Sequence, residues 1–95
     1  MKVYKILHKP TGLFYTPSDG HGNLSTTGKI YAKKPNLSRI GGSIRIIIHK
    51  WKEKKLSEKY MTIVNYFNLV PDEKGNYWID KHFEISITDW EIIEL

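Results

Sequence analysis

The segment from Asn36 to Lys55 constrains this chain most, because its apolar residues recur with a helical period while the flanking segments read as strand and turn. At about 100° per residue, Leu37, Ile40, Ile44, Ile47, Ile48 and Trp51 fall within an arc of roughly 100°, and Arg39, Arg45, His49, Lys50 and Lys52 lie off it. The expectation is a basic helix over 36–55 with one buried stripe. Ile44 to Ile48 leaves a strand open as the rival, since β-branched residues favour strands and Gly41-Gly42 costs a helix about 2 kcal/mol relative to alanines.

The remaining segments alternate. Lys2 to His8 carries apolar residues on both sides and reads as a strand near the centre of a sheet. Lys9-Pro10-Thr11-Gly12 has turn chemistry, and Leu13-Phe14-Tyr15 returns antiparallel. Thr16 to Asn23 has the composition of a solvated loop, and Gly28 to Lys33 reads as a short strand stopped before Pro35. From Lys59 to Val70, Met61, Ile63, Phe67 and Leu69 fall opposite Tyr60, Val64, Tyr66 and Val70, the period of a long strand. Pro71 to Asn76 then turns into Tyr77-Trp78-Ile79 as a hairpin, Ser86 to Asp89 is either a corner or part of an alternating run, and Trp90 to Leu95 closes as a strand. The expected fold is α+β, a single domain over 1–95: an antiparallel sheet of five or six strands with one helix, about 36–55, packed on a face.

Composition narrows the function classes. With no cysteine there is neither a disulfide framework nor a cysteine-bearing zinc site, which fits a reducing cytosol. No run approaches the roughly 18 apolar residues that a membrane span needs, so a soluble, intracellular protein is expected, with no membrane partner. His49 with Glu53 is the one histidine–carboxylate pair at helical spacing, a weak metal signal, and the serines lack an elbow or a Ser-x-x-Lys motif. The expectation is therefore a protein that is not an enzyme and carries no metal or cofactor.

Charge is separated along the chain. Residues 1–59 hold 13 Lys/Arg against Asp19, Glu53 and Glu58, a net of +10, while residues 60–95 hold Lys74 and Lys81 against seven acidic residues, a net of −5. Either the acidic tail lies beside the basic part and neutralises it, or one face attracts anions. Cations and rings interleave at Tyr4/Lys5, at Phe14/Tyr15 and through Lys29-Ile30-Tyr31-Ala32-Lys33-Lys34. Rings that stack a base and cations that hold phosphate make up a nucleotide or single-strand site. The plain alternative is that Phe14 and Tyr31 are core and the lysines serve solubility. A helix beginning near Asn36 would add its positive end beside Lys33, Lys34 and Arg39. The candidate ligand-binding set is Lys29, Lys33, Lys34 and Arg39 for phosphate, with Tyr15 and Tyr31 to stack the base.

The run Tyr4-Lys5-Ile6-Leu7-His8-Lys9-Pro10-Thr11-Gly12-Leu13-Phe14, the run Asn23-Leu24-Ser25-Thr26-Thr27-Gly28-Lys29-Ile30-Tyr31, and the ending Asp89-Trp90-Glu91-Ile92-Ile93-Glu94 resemble small bacteriophage proteins. Those share a Y-K-I-x-x-K-x-T-G-L-[FY] hairpin, an L-S-x-x-G-K-[IV]-[YW] strand and a D-W-E-I-V-E end. The group is similar to the phage anti-defence sponges that counter Thoeris immunity by sequestering its cyclic ADP-ribose signal. The resemblance implies a non-catalytic homo-oligomer in the host bacterial cytoplasm whose partner is a cyclic nucleotide or other anionic ligand. It carries over no individual ligand residue. The alternative reading is a basic module that binds nucleic acid or inhibits a host defence protein.

Overall fold

The computed structural model describes residues 2–18, 21–40 and 42–95. It is α+β, with antiparallel strands throughout and one α-helix among the described residues. The strands form two sheets and not one. Strands β1 (Tyr4–His8), β2 (Leu13–Ser18), β3 (His21–Ser25) and β6 (Trp90–Glu94) make a four-stranded sheet in the order β3-β2-β1-β6, and β4 (Ser43–Lys52) pairs with β5 (Asn76–Glu84) as a two-stranded ribbon.

The first sheet follows the alternation of its residues. β1 lies between β2 and β6, with Ile6 and His8 fully buried on one side. Gly12, at φ 73°, turns the chain after β1, and its N–H donates to the His8 carbonyl at 2.9 Å. Thr16 to Asn23, expected as a solvated loop, is mostly strand: β2 runs on to Ser18, β3 starts at His21, and Thr16 pairs with Asn23 in register. The tip, Asp19-Gly20, lies outside the described residues. The Gly28–Lys33 strand is reduced to a single bridge between Tyr31 and Tyr4. A short 3-10 turn at Ile87–Asp89, capped by the Ser86 hydroxyl, makes the corner into β6, and Trp90 points inward.

The helix expected over 36–55 does not form. That segment is a 3-10 turn at Leu37–Arg39, the ten-residue strand β4, and a second 3-10 turn at Glu53–Lys55. Ile44, Ile46 and Ile48 are buried at 0, 1 and 2 % exposure, which is a period of two, while Ile47 faces the other side and is only half-buried. A run of isoleucines satisfies the helical and the strand period equally well. The β-branched side chains and the antiparallel pairing with β5 decide for the strand.

Conversely, Lys59 to Val70, expected as a strand leading into a hairpin, contains the helix α1 (Glu58–Tyr66). Tyr60, Ile63, Val64 and Phe67 stand at i, i+3, i+4 and i+7, the stripe of an amphipathic helix. Ser57 caps its start, accepting from the Tyr60 N–H, and Glu58 sits in the first turn, where the dipole favours an anion. At the far end Asn68 adopts φ 54°; Leu69 N–H donates to the Val64 carbonyl at 3.0 Å and Asn68 N–H to Asn65 at 3.4 Å. That pair of bonds around a left-handed residue terminates a helix.

α1 ties the two sheets together. Phe67 stacks on Phe83 of β5 at 4.4 Å, Tyr60 meets Trp51 of β4 edge-on at 5.9 Å, and Tyr66 meets His8 of β1 at 5.3 Å. Between them lies the core, in which Ile6, Leu24, Ile44, Ile46 and Ile63 are the most completely enclosed aliphatic side chains.

Candidate functional site

β1 and β2 are hydrogen-bonded neighbours only at Leu7–Phe14 and His8–Leu13. Beyond Phe14 the two strands part, and the segment that follows β3 enters the gap. Lys29 N–H donates to the Tyr15 carbonyl at 3.1 Å, and Tyr31 exchanges two bonds with Tyr4, at 2.8 and 2.9 Å. Gly28 makes this entry possible. It sits at φ 72°, its N–H donates to Ser25 Oγ at 2.8 Å, and a Cβ on it would lie 2.3 Å from Phe14 Cβ.

The parted strands leave an open cleft of about 560 Å³. Ile6 lies at its floor and Tyr15 with Pro17 on the β2 side. Lys29, Tyr31, Lys33 and Lys34 line the opposite side, and Pro35, Asn36 and Ile40 complete the rim. Five of the six candidate residues from the sequence thus border one cavity. The sixth, Arg39, falls in the 3-10 turn beside it, and its side chain lies outside the described residues.

The electrostatics of the cleft are one-sided. From residue 20 to residue 52 the chain has no Asp or Glu. Among the described residues the ion pairs are Lys2–Glu94 at 3.2 Å, His8–Asp89 at 3.8 Å and Arg45–Asp80 at 2.8 Å, and none involves Lys29, Lys33 or Lys34. The acidic tail therefore neutralises Arg45 and Lys2 but not the cleft. Burial pushes the Tyr31 phenol above its ordinary value, and the neighbouring Tyr15 phenol adds to that shift. The Tyr31 phenol therefore stays protonated at neutral pH.

Two expected contributions change. The helix end near Asn36 is absent: the Asn36 side-chain oxygen accepts from Ser38 N–H at 3.0 Å and from the Ser38 hydroxyl at 2.8 Å, which closes a three-residue turn locally. And Tyr31 does not offer both faces to a base, since Lys29 Nζ stands 4.9 Å from its ring centroid.

His49 and Glu53 fall in β4 and in the following 3-10 turn, so their helical spacing no longer places them on one face, and His49 stacks on Trp78 at 5.6 Å. Among the described residues no group of three or more His, Asp or Glu stands where a metal could be held. A further cavity of about 270 Å³ lies among Asn23, Ile47, His49, Trp51 and Tyr60. The most unusual buried group, His8, escaped the sequence reading. Its one signal was its place two residues after Ile6 on the buried side of β1.

No family model, curated protein or solved structure matches this chain.

Proposed function

We propose that the protein binds a nucleotide-type anion in the cleft between β1 and β2 and does so without turnover. The observation that carries this reading is a single cavity bordered by three lysines and two tyrosines, with no carboxylate among its described lining residues. Among the described residues no carboxylate lines the cavity to offset its Coulomb attraction for phosphate. The phage resemblance supplies the biological setting: sequestration of a host immune signal in the bacterial cytoplasm by a homo-oligomer. Calorimetry with a panel of cyclic nucleotides and ADP-ribose isomers tests the reading. Saturable binding of at least one of them is expected, and the absence of heat with all of them removes it.

A second reading has its own observation. Trp78, on β5, is 66 % exposed and stacks on the exposed His49, so the β4–β5 ribbon presents a flat ring of the kind on which a nucleobase stacks. On this reading the protein binds nucleic acid, and affinity for a single-stranded oligonucleotide falls steeply as salt rises. Salt-tolerant binding to one host protein would instead mark an inhibitor of that protein.

A further inference from the structure

The side chains that line the cleft are richer in hydrogen-bond donors than in acceptors. Lys29, Lys33 and Lys34 donate only. The phenols of Tyr15 and Tyr31 have no hydrogen-bond partner among the described residues. The side-chain oxygen of Asn36, the one side-chain amide oxygen among the described lining residues, already accepts two bonds from Ser38. Reading a base requires acceptors for the exocyclic amino groups of adenine, cytosine or guanine, whereas a phosphate presents acceptors alone.

The rings are also committed. Lys29 covers one face of Tyr31. Tyr15 meets Trp90 edge-on at 5.6 Å, and the backbone at Gly22 lies so close that a Cβ there would stand 2.6 Å from Tyr15 Cε1. The hydroxyls of both tyrosines, by contrast, are engaged by no hydrogen bond among the described residues.

We infer that the cleft recognises the phosphate and sugar of a nucleotide and leaves its base unread, with Tyr15 and Tyr31 acting as hydroxyl donors beside the lysines and not as stacking platforms. This deepens the nucleotide-binding reading and rests on it. The cleft then accepts nucleotides of different bases alike, together with ribose 5-phosphate, and rejects the nucleoside.

Calorimetry on the full chain separates the possibilities, using AMP, GMP, CMP, UMP, ribose 5-phosphate, inorganic phosphate and adenosine as probes. The expected result is affinities within about threefold across the four nucleotides, retained binding of ribose 5-phosphate, weaker binding of inorganic phosphate, and none of adenosine. Tyr31→Phe and Tyr15→Phe keep the ring and remove only the hydroxyl, so each is expected to weaken nucleotide binding about tenfold while the melting temperature stays put. A base preference above tenfold, binding of adenosine, or undiminished affinity in both Phe variants overturns the inference and leaves the nucleotide-binding reading standing. Failure of every phosphorylated probe to bind overturns the inference, and absence of heat with the cyclic nucleotides and ADP-ribose isomers as well removes the nucleotide-binding reading.

Discussion

His8 Nε2 faces Asp89 Oδ2 across 3.8 Å, too long for a hydrogen bond, and is the one buried side-chain nitrogen or oxygen without a partner among the described residues. Its other nitrogen, Nδ1, lies 2.8 Å from the Thr11 hydroxyl, and the ring is enclosed by Trp90 at 5.1 Å and Tyr66 at 5.3 Å. Burial lowers the His8 pKa from its ordinary value of 6.5, and the attraction of Asp89 offsets only part of this.

A pH dependence of stability follows. Because the folded protein resists protonation at His8, the unfolded chain binds the extra proton first, and stability falls as pH drops below 6.5 toward the lowered folded-state value. Above 6.5 the loss is absent. Asp80 and Asp72, whose carboxyls are held below their ordinary 3.8 by the Arg45 hydrogen bond and by backbone N–H groups, act only in a more acidic window. Urea unfolding at pH 7.5 and at pH 5.0 should show a lower midpoint at pH 5.0 in the wild type and a smaller difference in His8→Phe. Equal pH differences in the two proteins would detach the effect from His8.

Strand β4 makes a prediction about neighbouring isoleucines. Ile46 is 1 % exposed in the core, so Ile46→Ala should cost about 2–5 kcal/mol, the usual range for a fully buried isoleucine. Ile47 is half-buried on the opposite side, and Ile47→Ala should cost about 1 kcal/mol. A helix over 36–55 would make Ile47 the more sensitive position. Equilibrium denaturation of the two variants decides between the arrangements.

Gly28 and Gly12 share a positive φ, at 72° and 73°, but differ in what surrounds them. At Gly12 a Cβ meets nothing within 4 Å, so Gly12→Ala should cost only the backbone strain, about 1–3 kcal/mol. At Gly28 the same strain is joined by collision with Phe14, adding about 1–3 kcal/mol. Since Gly28 also seats Lys29 and Tyr31, Gly28→Ala should lose ligand binding even under conditions where it remains folded, while Gly12→Ala keeps it. Paired melting and calorimetry experiments check both halves.

Lys33 and Lys34 are exposed and have no ion-pair partner among the described residues, so removing them should leave the melting temperature unchanged. The double variant Lys33→Ala/Lys34→Ala should nevertheless weaken nucleotide binding by about tenfold or more, roughly 1.4 kcal/mol, and flatten its dependence on salt. Unaltered affinity and salt slope would exclude both lysines from the site.

Much of the four-stranded sheet was legible in the residues. Alternation through Tyr4–His8, the turn chemistry of Pro10 and Gly12, and the inward Trp90 are short-range signals that survive folding unchanged. The grouping of Lys29, Tyr31, Lys33 and Lys34 was legible for the same reason, since they lie within six positions of one another. That the segment lacks carboxylates is equally a property of the sequence. The location of helix and strand between 36 and 70 was not legible. Ile44, Ile46, Ile47 and Ile48 fit either period, and the stripe Tyr60, Ile63, Val64, Phe67 was masked by further apolar residues at Met61, Leu69 and Val70.

By itself, then, the sequence determined an α+β chain of antiparallel strands whose basic half carries clustered lysines and tyrosines. Only the tertiary structure decided which isoleucines face inward, because burial on one side or two depends on what packs against each side. It alone made the cleft, since the gap between β1 and β2 exists only where Gly28 lets a distant segment in. It also set the Lys29 ammonium over the Tyr31 ring and the Gly22 backbone close beside the Tyr15 ring, contacts that depend on the folded path of the backbone.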